Sequence, residues 1–139
     1  MPIKDIQVTS SMEDYLEAIA LIKVDKRIAR VKDISRFLKV KKPSVSEAIR
    51  NLVKNGLVMH ERYGDVRLTA AGEKIARNVK KRHQVLLRFL SDVLGIDPET
   101  ASNDACKIEH HISQQTFVSL IKFIEPMGVK KNINRNNPK

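Results

Sequence analysis

Cys106, Glu109 and His110 stand at i, i+3 and i+4 in the run Asn103-Asp104-Ala105-Cys106-Lys107-Ile108-Glu109-His110-His111. On a helix that spacing aims a thiol, a carboxylate and an imidazole at one spot, and three ligand types on one face suggest a metal. Asp14 and Glu17, at i and i+3, lie in an amphipathic segment near the amino terminus, and His83 stands among apolar residues of a third segment. A cation collecting all three would tie the beginning of the chain to its end. Each residue alone has a plainer reading. Cys106 can be a small buried hydrophobe, His83 a hydrogen-bonded core histidine, and Asp14 with Glu17 a solvated face near a helix start, where the dipole favours anions. His111 lies about 100° around the helix from His110 and reads as outer shell or surface.

The elements that must position these residues follow from periodicity. Met12, Tyr15, Leu16, Ile19, Ala20 and Ile22 predict a first helix over Met12 to Val24, with Ser10 or Ser11 as its N-cap. Val31 to Leu38 predicts a short helix through Val31, Ile34, Phe37 and Leu38. A turn at Lys39 to Lys42 then leads to Pro43 at a first helical position and a helix running to Asn55, stopped by Gly56. Two short helices joined by a tight turn are a helix-turn-helix. Leu57 to Glu61 and Val66 to Leu68 alternate as strands, with Gly64 serving the turn, which makes a wing. Thr69 caps a long helix, Ala70 to Leu94, broken by Gly95-Ile96-Asp97-Pro98. A short helix from Pro98 to Ala105 follows, then a longer one through Ile108, Ile112, Phe117, Leu120, Ile121 and Ile124. The fold class expected is mainly α: a winged helix-turn-helix DNA-binding domain (residues 1–70), an all-helical metal-binding and dimerisation domain (residues 71–128) and a flexible basic tail (residues 129–139).

The chain of 139 residues, 42% hydrophobic, is long enough to bury a core. It has no apolar run near the roughly 20 residues a membrane span needs. Met1-Pro2-Ile3-Lys4-Asp5 lacks the apolar core and cleavage site of a secretory signal, which places the chain in the cytoplasm, away from membranes. A single cysteine there stays a free thiol available to metal. The balance of 26 Lys and Arg against 16 Asp and Glu gives a net charge of +10, as expected of a protein that meets a polyanion, although excess lysines can also merely solvate a surface.

Sequence order favours duplex DNA. The second helix of the pair presents side chains near its amino end to base edges in the major groove, and Pro43, Ser44, Ser46, Glu47 and Arg50 occupy that end. Lys41 and Lys42 in the turn, with Arg62 and Arg67 on the wing, suit phosphates and supply affinity without sequence information. The competing reading is a helical hairpin packed for stability, its charges hydrated.

With ligands and winged helix in place, the chain resembles the diphtheria-toxin-repressor-like metalloregulators, and among them most closely the manganese transport regulators. The likeness runs nearly end to end. Ser11-Met12-Glu13-Asp14-Tyr15-Leu16-Glu17 resembles the family's opening helix, Lys80-Lys81-Arg82-His83 leads into its dimerisation region, and Asn103-Asp104-Ala105-Cys106 with Glu109-His110-His111 resembles its metal motif. The resemblance implies a cytoplasmic homodimer that binds a palindromic operator when loaded with divalent metal and represses metal-uptake genes. It also implies that Asp14, Cys106, Glu109 and His110 form one metal site, with Glu17 and His83 as the remaining ligands of a binuclear cluster. The chain is a hybrid: manganese regulators carry a carboxylate at the position of Cys106, whereas iron regulators carry the cysteine but a thioether at the position of Asp14. The ancillary site of iron-type members would need other residues where Leu87 and Ser102 stand.

Carboxylates and imidazole suit manganese and iron, and a thiolate moves preference toward iron, cobalt, nickel or zinc. Fe(II) is therefore the first choice and Mn(II) the second, with Co, Ni and Zn as substitutes. An enzyme is the less favoured class, because the sequence has no His-Glu-x-x-His and no second catalytic constellation. A metal-independent winged-helix DNA-binding regulator would fit the charge but leave the six ligands unexplained.

Overall fold

In the computed structural model, which describes residues 8–61 and 64–127, helix α1 (Ser10–Lys26) is capped by Thr9. The Thr9 hydroxyl oxygen accepts the Met12 N–H at 3.1 Å, and the Thr9 N–H donates back to Met12 Sδ at 3.5 Å. That closes a capping box with a thioether in the place usually held by Glu or Gln. The cap therefore precedes both Ser10 and Ser11, the residues expected for it. α1 buries Met12, Tyr15, Leu16, Ala18, Ile19 and Ile22 and ends at Arg27 in the left-handed region.

α2 (Val31–Leu38) spans the residues expected, and α3 (Lys42–Lys54) starts with Pro43 in its first turn. Lys39, at φ 59°, makes the reversal between them. Val45, Ile49 and Leu52 on one face of α3 join Leu16, Ile19 and Ile34 in a single core, as the 3.6-residue period requires. Gly56, at φ 74°, turns the chain into β1 (Val58–His60). β1 pairs antiparallel with β2 (Val66–Leu68) in the register Met59 to Arg67, and Gly64 takes φ 93° in the turn. The Val66 N–H donates to the Ala29 carbonyl at 2.7 Å, so the loop after α1 lies along the wing.

Thr69 caps α4 (Ala70–Arg88) as expected, accepting the Gly72 N–H at 3.1 Å. Its own hydroxyl donates to the Gly56 carbonyl at 2.7 Å, and its N–H to the Leu57 carbonyl at 3.1 Å. The start of α4 is thus anchored to the entry of the wing. The α-helical pattern stops at Arg88 rather than Leu94: Phe89–Val93 form a wider π turn closed by the Leu94 N–H on the Phe89 carbonyl at 3.1 Å.

α5 (Pro98–Ile108) and α6 (Gln114–Ile124) complete the helices, capped by Asp97 and Ser113, and the chain continues in a 3-10 turn at Glu125–Met127. The break between them falls over residues 109–113, not after Ala105 as the sequence suggested. The cause is Ser113, whose Oγ accepts the Thr116 N–H at 3.1 Å and so starts α6 there.

The chain divides into two units between Asn78 and Val79. The first holds the helix-turn-helix and wing. Buried residues of the second include Val79, Leu86, Ala101, Ala105, Phe117 and Ile124, with Phe89 and Phe123 meeting edge to face at 6.3 Å. The architecture is mainly α, a winged helix-turn-helix followed by a helical unit. No helix among the described residues is long and apolar enough to cross a membrane. The tail expected at residues 129–139 lies outside the described residues.

Candidate metal centre and nucleic-acid interface

Because α5 ends at Ile108, the Cys106, Glu109, His110 motif straddles a helix terminus instead of lying along one helix face. Cys106 sits in the last turn of α5, Glu109 is its C-cap, and His110 follows in the turn. The structure brings His83 of α4 to this terminus: one ligand atom each from His83, Cys106 and Glu109 lie within 4.8 Å of one another. His83 Nδ1 and Glu109 Oε1 are 2.8 Å apart, a pair in which the ring N–H donates to the carboxylate. His83 Nε2 is 3.5 Å from Ser102 Oγ.

Glu109 is fully buried, at 0% exposure, the one charged residue among the buried residues described. A buried carboxylate is costly unless its oxygens are compensated. Oε1 has His83. Oε2 lies 3.4 Å from His110 Nε2, but it has no hydrogen-bond partner among the described residues. A buried carboxylate oxygen without a hydrogen bond, beside imidazoles and a thiol, fits a divalent cation in both charge and donor chemistry. His111 is exposed, as are Cys106 and Asp14.

Asp14 and Glu17 stand one turn apart on α1 in the first unit, Asp14 exposed and Glu17 half-buried. Their i, i+3 spacing puts both carboxylates on one side of that helix.

On α3 the buried stripe of Val45, Ile49 and Leu52 leaves Lys42, Pro43, Ser44, Glu47 and Arg50 exposed, with Lys41 exposed at the N-cap and Ser46 half-buried. Ser44 and Glu47 also line a surface groove against Thr9, Ser11 and Tyr15 of the α1 start. On the wing, Arg67 is exposed, and its Nε donates to Asp65 Oδ2 at 2.8 Å. That pairing raises the Arg67 pKa further above its ordinary value, so the guanidinium is oriented and permanently charged. Arg62 lies outside the described residues.

One functional candidate escaped sequence reasoning. Arg82 Nη1 donates to the Glu109 carbonyl at 2.8 Å. Within Lys80-Lys81-Arg82 it reads as one more solvated cation, and only its place beside His83 could have singled it out.

Residues 7–66 match the family described as the iron dependent repressor, N-terminal DNA binding domain, and residues 69–134 match the iron dependent repressor, metal binding and dimerisation domain. The HTH-type transcriptional regulator MntR of Bacillus subtilis is 40% identical over 126 residues, which cover 88% of this chain and 88% of that protein. The crystal structure of IdeR from T. acidophilum superposes with a TM-score of 0.72 at 30% identity, covering 91% of this chain and 56% of the other. A manganese-dependent transcriptional repressor in complex with manganese gives a TM-score of 0.76 at 28% identity, covering 82% of this chain and 52% of the other. The chain spans about half the length of these two solved proteins.

Proposed function

The chain belongs to the iron-dependent repressor family, and on that premise we propose that it is a cytoplasmic, homodimeric repressor of metal-uptake genes, activated by Fe(II) or Mn(II) and without catalytic activity of its own. The observation that carries this reading is the cluster of His83, Cys106 and Glu109, in which a buried carboxylate oxygen has no hydrogen-bond partner among the described residues. The ligand set we assign is Asp14, Glu17, His83, Cys106, Glu109 and His110. When bound, the ion supplies positive charge that holds several anionic and imidazole donors in one place; it performs no reaction. Residues 1–70 are assigned to reading DNA and residues 71–128 to metal binding and dimerisation.

DNA contact is assigned to Lys41, Lys42, Pro43, Ser44, Ser46, Glu47 and Arg50 at the start of α3, with Arg62 and Arg67 gripping phosphates from the wing. A palindromic operator follows from a two-fold dimer, whose two recognition helices must stand roughly 34 to 36 Å apart to enter successive major grooves. The ligands come from both halves of the sequence, so metal favours one arrangement of the DNA-reading half and the dimerising half, and affinity for the operator follows.

The test is fluorescence anisotropy of a labelled promoter, titrated with anaerobic Fe(II) or with Mn(II), for the wild type and for Cys106→Ala and His110→Ala. Tight binding only in the loaded wild type is expected. Equal binding by metal-free and loaded protein would remove the proposal in favour of a metal-independent winged-helix regulator.

A further inference from the structure

Two consecutive residues of α4 grasp a single residue at the end of α5. Arg82 Nη1 donates to the main-chain carbonyl of Glu109 at 2.8 Å, and His83 Nδ1 meets the Glu109 side chain at Oε1, also at 2.8 Å. The carbonyl concerned belongs to a helix terminus, where backbone acceptors have run out of intrahelical donors. Ala105 O takes the Glu109 N–H, and Ile108 O takes the N–H groups of His111 and Ile112. Glu109 O is the one that falls to Arg82.

This is also the point at which the chain leaves the helix and delivers Glu109 and His110. A small rotation of the Glu109 backbone would swing both side chains away from where they stand, and beyond it only the turn bonds of His111 and Ile112 to the Ile108 carbonyl hold the main chain, in place of a continuing helix. A cation at a helix carboxyl end is favourable in its own right. The planar guanidinium fixes direction as well as distance, which an ammonium does not. Arg82 is half-buried, whereas Lys80 and Lys81 are exposed.

We infer that Arg82 is a positioning residue of the metal centre, fixing the turn through which α5 presents Glu109 and His110. It rests on the reading of His83, Cys106 and Glu109 as metal ligands. Arg82 binds no metal; it acts through the Glu109 backbone. A nearby positive charge would by itself weaken cation binding, so the sign of the effect decides between the two roles. If positioning dominates, losing Arg82 costs about 10 to 100 fold in metal affinity, as for other groups that orient ligands. If repulsion dominates, affinity rises.

The experiment uses the full chain with Co(II) under anaerobic conditions, reading the thiolate-to-cobalt charge-transfer band and the d–d bands that report coordination geometry. Arg82→Ala is expected to bind Co(II) about 10 to 100 fold more weakly with altered d–d bands. Its metal-free form should exchange the amides of residues 110–112 faster, and Arg82→Lys should recover part of the affinity. A wild-type affinity and spectrum in Arg82→Ala, or tighter binding, overturns the inference. Should Arg82→Ala not fold, Arg82→Lys decides by the same bands, an altered spectrum supporting the inference and an unaltered one overturning it. A wild-type protein without any charge-transfer band, or one whose band survives Cys106→Ser, overturns the metal reading itself and the inference with it.

Discussion

At the scale of residues, in the ligand set proposed above, the chemistry at Cys106 is expected to set which metal the centre prefers. It is the single soft donor among the proposed ligands, and replacing it with a hard one moves the set toward manganese. Cys106→Asp is expected to raise the affinity for Mn(II) relative to Co(II) by about tenfold, equivalent to about 1.4 kcal/mol, in competitive metal titrations. An unchanged ratio would mean that the thiol takes no part. The residue types were fully legible in the sequence, and their grouping was partly so. The i, i+3, i+4 spacing predicted a shared helix face, whereas the structure gathers Cys106 and Glu109 with His83, 23 residues or more away in sequence, at a helix end. Local spacing reports neighbours along one helix and is silent about which distant side chain arrives. A second residue-scale prediction concerns Asp33. Burial pushes its pKa up, but the Arg30 N–H at 3.0 Å and Lys26 Nζ at 3.4 Å outweigh burial and hold it below the ordinary value of 3.8. Its folded pKa is depressed, so its contribution to stability is present above about pH 4 and is lost as pH falls through the lowered value. Asp33→Asn should therefore unfold with a flatter acid limb when denaturant midpoints are compared from neutral pH downward.

At the scale of elements, Gly72 reverses a rule. Replacing a helical glycine by alanine ordinarily stabilises by roughly 0.5 to 1 kcal/mol. Here a Cβ would drive into the Leu57 carbonyl oxygen, whose carbon stands 3.1 Å away, and that backbone is already fixed by its bond to the Thr69 N–H. Gly72→Ala is expected to destabilise by about 1 to 3 kcal/mol, as overpacking against rigid atoms does, measured as a lowered midpoint in urea with unchanged slope. Nothing in the sequence distinguishes this glycine from a tolerated one. Other boundaries show where periodicity speaks and where it stops. Val31 to Leu38 was readable because its apolar residues end where Lys39 turns left-handed. Ile108 and Ile112 keep helical spacing across the gap between α5 and α6, so the period runs on where the helix does not. The π turn at Phe89–Val93 leaves no trace in apolar spacing, because it ends the helix and no further helical turn follows in which a rotated stripe would show. Thr9-Ser10-Ser11 offers three equivalent hydroxyls, and the choice among them lies with Met12.

At the scale of the whole molecule, a net charge of +10 favours attraction to any DNA, and such attraction is salt-sensitive and sequence-indifferent. Repression needs more: a difference between loaded and empty protein. A coupling of about 1 to 3 kcal/mol corresponds to roughly 5 to 150 fold in operator affinity. Anisotropy titrations at two salt concentrations should return that factor for operator DNA and a ratio near unity for random DNA. A metal effect of equal size on both would show that the ion merely adds charge. The bond from Val66 to Ala29 bears on how that difference is expressed. Since the hairpin is hydrogen-bonded to the connector between the first two helices, a displacement of α1 is expected to pass to the wing as well as to the helix proposed to read bases. On the DNA contacts proposed above, the hairpin's grip and the recognition helix's reading are then expected to loosen together.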